Sequence, residues 1–78
     1  MTYPRLLPVG DMAYTVEFGD AVSRELSLQV HAFDTLLQQS PFPALIETVP
    51  SYRSLLVVFD PRRQRAREVR DALHQALA

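Results

Sequence analysis

Five consecutive apolar residues, Leu55 to Phe59, constrain the fold of this chain more than any other feature. The run does not alternate with polar residues, so a strand built from it must be covered on both faces. A polar corner, Ser51–Ser54, precedes the run, and Asp60-Pro61 ends it. A chain of 78 residues buries only about 60 to 65% of its unfolded surface on folding. We therefore predict a single domain, residues 1–78, that lacks a cover for the second face of this strand.

Composition narrows the class of protein. Apolar residues make up 47% of the chain and charged residues 22%, with a net charge of -1, which is typical of a globular domain. This charge predicts neither nucleic acid nor a membrane as a partner. The chain has no cysteine, which excludes disulfides and thiolate metal sites, and we expect a cytoplasmic protein. No segment has the roughly eighteen apolar residues of a spanning helix, and the first residues do not resemble a signal peptide.

The first half of the chain predicts a hairpin followed by a helix. Residues 5–9 form a brief edge strand that ends in a turn at Gly10-Asp11, and residues 12–18 form a second strand with its aromatic side inward. From Ser23 onwards apolar residues recur at spacings of three and four, which indicates an amphipathic helix that Asp20 or Ser23 caps and residues 40–43 end. Its apolar stripe is Leu26, Val30, Phe33 and Leu37, with Val22 one turn earlier and Leu36 widening it.

The second half repeats this order. We predict two strands at residues 44–49 and 54–59, joined by a short loop. A second amphipathic helix is predicted over residues 62–78, and its apolar side contains Ala66, Val69, Leu73 and Ala76 or Leu77. We therefore predict an α+β fold of order β-β-α-β-β-α. It is a two-layer sandwich in which a four-stranded antiparallel sheet carries both helices on one face.

Residues capable of chemistry are few. His31 and His74 have no second ligand at helical spacing and are predicted to be surface side chains, although Asp34 and Asp71 could orient them. Neither Ser51 nor Ser54 lies in a nucleophile motif, and the glycines at positions 10 and 19 are turn residues and not a phosphate loop. We assign no catalytic and no metal-ligating residue.

Arginines offer two further candidates for binding. Arg53 either pairs with an anionic partner or bonds Asp11, Glu47 or Asp60 within the hairpin. Five arginines between positions 62 and 70 form a charge cluster, but this segment has no aromatic residue and contains Glu68. A solvated helix face is therefore favoured over nucleic-acid binding.

Three separated motifs carry a family resemblance. They are Leu7–Asp11 (LPVGD), Val16–Asp20 (VEFGD) and Val49–Pro61, which contains the polar corner. In this order and spacing they resemble the N-terminal domain of the KipI-like proteins, which are also known as the B subunit of 5-oxoprolinase or as allophanate hydrolase subunit 1. The resemblance covers nearly the entire chain.

The resemblance implies a larger protein with protein partners. Family members carry a cyclophilin-like β-barrel domain after this domain, so we expect that barrel to be absent from a sequence that ends at Ala78. They pair with a KipA-like protein, the C subunit of 5-oxoprolinase, and with a further subunit they hydrolyse 5-oxoproline at the expense of ATP. The resemblance implies no cofactor in this domain, with ATP in the parent complex. Two alternatives stay open, namely a KipI-type inhibitor of a sensor histidine kinase and part of an allophanate or urea carboxylase system.

The signature positions of the family supply the candidate binding or interface residues, which are Gly10, Asp11, Tyr52, Arg53 and Ser54. In the first interpretation the domain is a non-catalytic interaction and scaffold module, whose uncovered sheet face docks on the barrel domain, on the KipA-like partner or on a second copy. In the second interpretation Tyr52, Arg53 and Asp11 contribute to a composite site for 5-oxoproline, its phosphorylated form or ATP.

Overall fold

The computed structural model of the protein describes residues 3–78 and contains four strands and two helices. The elements are β1 (Arg5–Val9), β2 (Ala13–Glu17), α1 (Arg24–Gln39), β3 (Leu45–Pro50), β4 (Ser54–Phe59) and α2 (Ala66–Leu77). The sheet has the order β1-β2-β4-β3, and every neighbouring pair is antiparallel. The predicted α+β fold of order β-β-α-β-β-α is confirmed.

The apolar run of β4 divides between the two faces of the sheet. Leu55, Val57 and Phe59 are almost completely buried. The register places Leu55 opposite Val16 of β2 and Val57 opposite Tyr14, so these residues share one face. The same core cluster contains residues of both helices, which are Val30, Phe33 and Leu37 of α1 and Val69 and Leu73 of α2. Both helices therefore pack on one face of the sheet, as predicted.

Helix α1 begins where a serine caps it. The backbone N–H of Leu26 donates to Ser23 Oγ at 3.1 Å, which satisfies one of the free amides of the first turn. Of the two predicted caps, the structure uses Ser23. The predicted apolar stripe was too wide, because Val22 is 74% exposed and Leu36 is 43% exposed. Neither belongs to the buried core cluster or to the residues that pack against it.

Helix α2 begins four residues later than predicted. Two backbone amides after β4 bond back to Asp60, since Arg62 N–H donates to its carboxylate at 2.9 Å and Arg63 N–H to its carbonyl oxygen at 3.0 Å. These bonds hold residues 61–64 in a turn outside the helix. The helix then begins at Ala66, which is exposed and not part of the apolar stripe.

Candidate functional site

The face of the sheet opposite the helices carries two rows of mostly apolar side chains. Leu56 of β4 lies opposite Thr15 on one side and Val49 on the other, and Val58 lies opposite Ala13 and Glu47. On the edge strand β1, Leu7 and Val9 continue the same two rows, because they pair with Thr15 and Ala13. We call this surface the open face, with the members Arg5, Leu7, Val9, Ala13, Thr15, Glu17, Glu47, Val49, Ser54, Leu56 and Val58.

Several members of the open face are exposed although they are apolar. The exposed fractions are 39% for Leu7, 48% for Val9 and 48% for Val49. Ile46, which is 55% exposed, lies at the irregularity of the β3 register next to Glu47. Neighbouring exposed apolar side chains on a small domain make this face a candidate interaction surface.

One end of the open face carries a group of three charged residues. Glu17 accepts from Arg5 Nε at 2.6 Å through Oε1 and from Arg53 Nη1 at 3.5 Å through Oε2. This hydrogen bond to the Glu17 carboxylate raises the pKa of Arg5. Arg53 also donates to the carbonyl oxygen of Gly19 at 3.1 Å. The sequence offered Asp11, Glu47 or Asp60 as the acid that Arg53 bonds within the protein. This prediction is wrong, because the acid that accepts from Arg53 is Glu17.

The polar corner between β3 and β4 supplies residues to two different surfaces. Ser51 Oγ lies 2.7 Å from Ser54 Oγ, and Ser51 N–H donates to the carbonyl oxygen of Ser54 at 2.9 Å, so these two serines close the turn. Arg53 bonds Glu17, a member of the open face. Tyr52 is 71% exposed and lines a groove beside α1 together with His31.

The turn at Gly10 and Asp11 lies at the other end of the sheet. It joins the pair Val9 and Ala13, whereas the polar corner lies beside the pair Glu17 and Ser54. Four residues of strand, about 13 Å, separate the two ends. Gly10 has φ +62°, the left-handed region, so it shapes the turn. The structure therefore places Asp11 at the end of the sheet opposite Tyr52 and Arg53.

The histidines do not form catalytic pairs. Asp34, which the sequence offered as a residue that could orient His31, accepts from Thr48 Oγ1 at 2.6 Å. Within residues 3–78 no three His, Asp or Glu side chains are grouped so that they could hold a metal ion. No helix in this range is long and apolar enough to cross a membrane.

Comparison with known proteins identifies the family. Residues 4–78 match the family model described as carboxyltransferase domain, subdomain C and D. The chain belongs to this family. A curated relative, the B subunit of 5-oxoprolinase from Bacillus subtilis, is 35% identical over 52 residues, which are 67% of this chain and 22% of the relative. The predicted relationship to the KipI-like proteins and to this 5-oxoprolinase subunit is confirmed. The chain spans about a fifth of the length of this curated relative.

Solved structures show the same fold. A conserved uncharacterized protein from Pyrococcus horikoshii superposes with a TM-score of 0.88 at 35% identity, over 92% of this chain and 33% of that one. The N-terminal domain of the histidine kinase inhibitor KipI from Bacillus subtilis superposes with a TM-score of 0.77 over 94% of this chain and 82% of that one. Its identity is 24%, so this second likeness shows the fold alone.

Two parts of this site were not predicted from the sequence. Glu17 was expected on the outer side of β2, but its link to Arg53 depends on the pairing of β2 with β4. The groove beside Tyr52 depends on how α1 packs near the corner. The alternation of side chains along β2 indicated the face on which Glu17 lies. No local pattern in the sequence indicated the groove beside Tyr52.

Proposed function

We propose that the protein is the N-terminal interaction and scaffold module of a protein like the B subunit of 5-oxoprolinase, and that the open face is its docking surface. The observation that carries this proposal is the largely apolar surface that includes Leu7, Val49, Leu56 and Val58, on the side of the sheet that neither helix of residues 3–78 covers. Such a surface stabilises the domain only when another surface excludes water from it.

The size of the open face favours a tethered occupant. Four strands spaced about 4.8 Å apart and five residues of about 3.3 Å give a geometric area of about 300 Å². Counted on both partners, the buried area is about 600 Å². This is at the low end for interfaces between domains of one chain and below the roughly 1,200 Å² that stable complexes of separate proteins bury. A tethered domain binds at an effective concentration near millimolar, which compensates for a small interface. We therefore assign the open face to the cyclophilin-like barrel domain that the family resemblance implies.

The remaining parts of the function follow from the relationship to 5-oxoprolinase. In this proposal the docked module presents the barrel domain to a KipA-like partner, and the complete cytoplasmic system hydrolyses 5-oxoproline with ATP. ATP is bound outside residues 1–78, and this domain holds no cofactor. The likeness to the KipI domain is a likeness of fold alone and gives no support to kinase inhibition by this chain.

An NMR titration tests the docking surface. The 78-residue protein, labelled with ¹⁵N, is mixed with the separately expressed barrel domain of the Bacillus subtilis relative, and then with a KipA-like protein or with more of itself. We expect shifts of the amides of Leu7, Val49 and Leu56 on addition of the barrel domain. Shifts confined to Leu28 and Leu36, which are exposed on α1, would contradict the proposal, as would a stronger response to the KipA-like protein or to a second copy.

A matched pair of variants separates docking from folding. Leu56→Glu places a charge in the open face, and Leu36→Glu places the same charge on the exposed side of α1. Leu56→Glu is expected to abolish the shifts, and Leu36→Glu to leave them unchanged. Circular dichroism of both variants checks that each is folded. Equal binding by the folded Leu56→Glu variant would overturn the assignment of the open face.

A further inference from the structure

Arg53 lies at one end of the open face with part of its guanidinium unused. Its Nη1 donates to Glu17 Oε2 at 3.5 Å and to the carbonyl oxygen of Gly19 at 3.1 Å. No hydrogen bond or ion pair among residues 3–78 uses its Nε or Nη2. These two nitrogens form one edge of the planar guanidinium, and such an edge matches the two oxygens of a carboxylate. Arg53 therefore keeps a bidentate donor edge available for a partner.

The charges around Arg53 favour an anion on that edge. Arg5 and Arg53 both donate to Glu17, so two guanidiniums share one carboxylate. The Glu17 side chain is only 14% exposed, whereas that of Arg53 is 42% exposed. Asp20 is exposed, and among residues 3–78 no ion pair joins it to Arg53. The positive charge of Arg53 is therefore only partly neutralised within the domain, by a long and shared ion pair.

Docking on the open face makes this charge costly. Covering the face removes water from the donors of Arg53, and a charge that is buried without a partner destabilises an interface strongly. The interface that the open face can form is small, so its apolar contacts offset little of such a loss. A partner surface that offers an anion at this position is therefore favoured over one that offers a cation or only apolar side chains.

We infer that a carboxylate side chain of the barrel domain, from an Asp or a Glu, binds the Nε and Nη2 edge of Arg53 when the open face docks. The inference rests on the proposed function, since the barrel domain is the occupant assigned to the open face. Arg53 then selects the partner and the orientation in which it docks. Arginine suits this role because its guanidinium is planar and more weakly hydrated than the ammonium of lysine.

The side-chain NMR signal of Arg53 Nε–H tests the inference directly. The ¹⁵N-labelled 78-residue protein is mixed with the separately expressed barrel domain of the Bacillus subtilis relative. We expect the Arg53 Nε–H signal to shift together with the amides of Leu7 and Leu56. The signal of Arg67, which is exposed on α2 on the other side of the sheet, should stay unchanged. Shifts at Leu7 and Leu56 without a shift at Arg53 would overturn this inference and leave the proposed function standing, whereas absence of all shifts would overturn both.

Two replacements of Arg53 separate the donor edge from the charge. Arg53→Lys keeps the charge but lacks the bidentate edge, and Arg53→Gln removes both. Loss of a charge-assisted hydrogen bond corresponds to roughly tenfold weaker binding, and we expect at least that loss for each variant. Arg67→Gln removes one charge from α2 and should dock like the wild type. Circular dichroism checks that each variant is folded. Wild-type affinity of Arg53→Lys, or equal losses for Arg53→Gln and Arg67→Gln, would overturn the inference.

A double-mutant cycle identifies the acid on the barrel domain. Each Asp and Glu of that domain is replaced in turn by Asn or Gln, and docking is measured with the wild type and with Arg53→Gln. We expect one replacement that weakens docking to the wild type roughly tenfold and weakens docking to Arg53→Gln scarcely further. Losses that add for every acid would mean that Arg53 pairs with none of them, which would overturn the inference.

Discussion

The phenol of Tyr14 on β2 donates a hydrogen bond of 3.1 Å to the carbonyl oxygen of Ala66, the first residue of α2. The same ring stacks on Phe59 with its centroid 5.8 Å away. Tyr14 therefore connects the second strand with the last strand and with the start of the last helix. Residues 61–65, which lead into that helix, are also held by the bonds of Asp60 and Gln64 and by the bond from the Arg65 amide to the Glu68 carboxylate.

Removal of this hydroxyl is expected to lower stability without changing the fold. Tyr14→Phe keeps the ring stacked on Phe59 and loses one hydrogen bond, so the free energy of unfolding should fall by about 1 kcal/mol. Urea denaturation followed by circular dichroism measures the change. Tyr52→Phe is the control, because the Tyr52 hydroxyl has no partner among residues 3–78, and its unfolding curve should match the wild type. Equal effects of the two substitutions would contradict a role for the bond to Ala66.

Two neighbouring leucines distinguish the buried face from the open face. Leu55 is completely buried, so Leu55→Ala leaves a cavity and should cost about 2 to 5 kcal/mol of unfolding free energy. Leu56 lies on the open face and is half-buried, so Leu56→Ala should cost about 1 kcal/mol or less. Chemical denaturation of both variants gives the comparison. A larger loss of unfolding free energy for Leu56→Ala than for Leu55→Ala would mean that Leu56, and not Leu55, lies on the buried face of β4.

The sequence predicts the order of the elements because its signals are local. The turn at Gly10, the period of α1 and the stop at residues 40–43 each act over a few residues. The face of β4 that packs against the helices is not specified by a local signal. Its five apolar residues do not alternate, so either Leu55 or Leu56 could face the helices, and only the pairing with Tyr14 and Val16 decides.

The candidate site was harder to predict because it depends on contacts between distant segments. Arg53 bonds Glu17, 36 residues away, because the register of β2 and β4 places Glu17 opposite Ser54. No spacing in the chain specifies that pairing. Asp11 was grouped with Arg53 on the basis of shared family motifs, and motif membership does not indicate the end of the sheet at which a turn lies.

The cap of α1 gives a test of local structure. Ser23→Ala removes the acceptor of the Leu26 amide and should lower the free energy of unfolding by about 1 kcal/mol, the usual cost of a lost cap. Asp20→Ala alters the other residue that the sequence offered as a cap, and we expect a much smaller change. Denaturation curves of the two variants decide between them. If Asp20→Ala were the more damaging, the helix would begin earlier than Arg24 in solution.

The last prediction concerns pH and the pair formed by Asp60 and Arg62. The Arg62 side chain donates to the Asp60 carboxylate at 3.2 Å and 3.3 Å, and the Arg62 backbone amide donates at 2.9 Å. These hydrogen bonds hold the pKa of Asp60 below its ordinary value of 3.8. The unfolded chain therefore binds a proton at Asp60 more readily than the folded chain. The pair stabilises the fold above pH 3.8, and this contribution is lost as the pH falls through the lower folded pKa.

Asp60→Asn isolates this contribution. The introduced amide would keep an oxygen for the Arg62 backbone N–H but lose the charge, so the variant should be less stable than the wild type at neutral pH, with a gap that narrows as the solution is acidified. Unfolding free energies measured across the acid range give the gap directly. Asp71→Asn is the control, since Asp71 is exposed and lies 3.6 Å from Arg70, and surface pairs of this kind contribute little. A gap for Asp60→Asn that stayed constant down to the most acidic sample would mean that the charge of Asp60 does not stabilise the turn before α2.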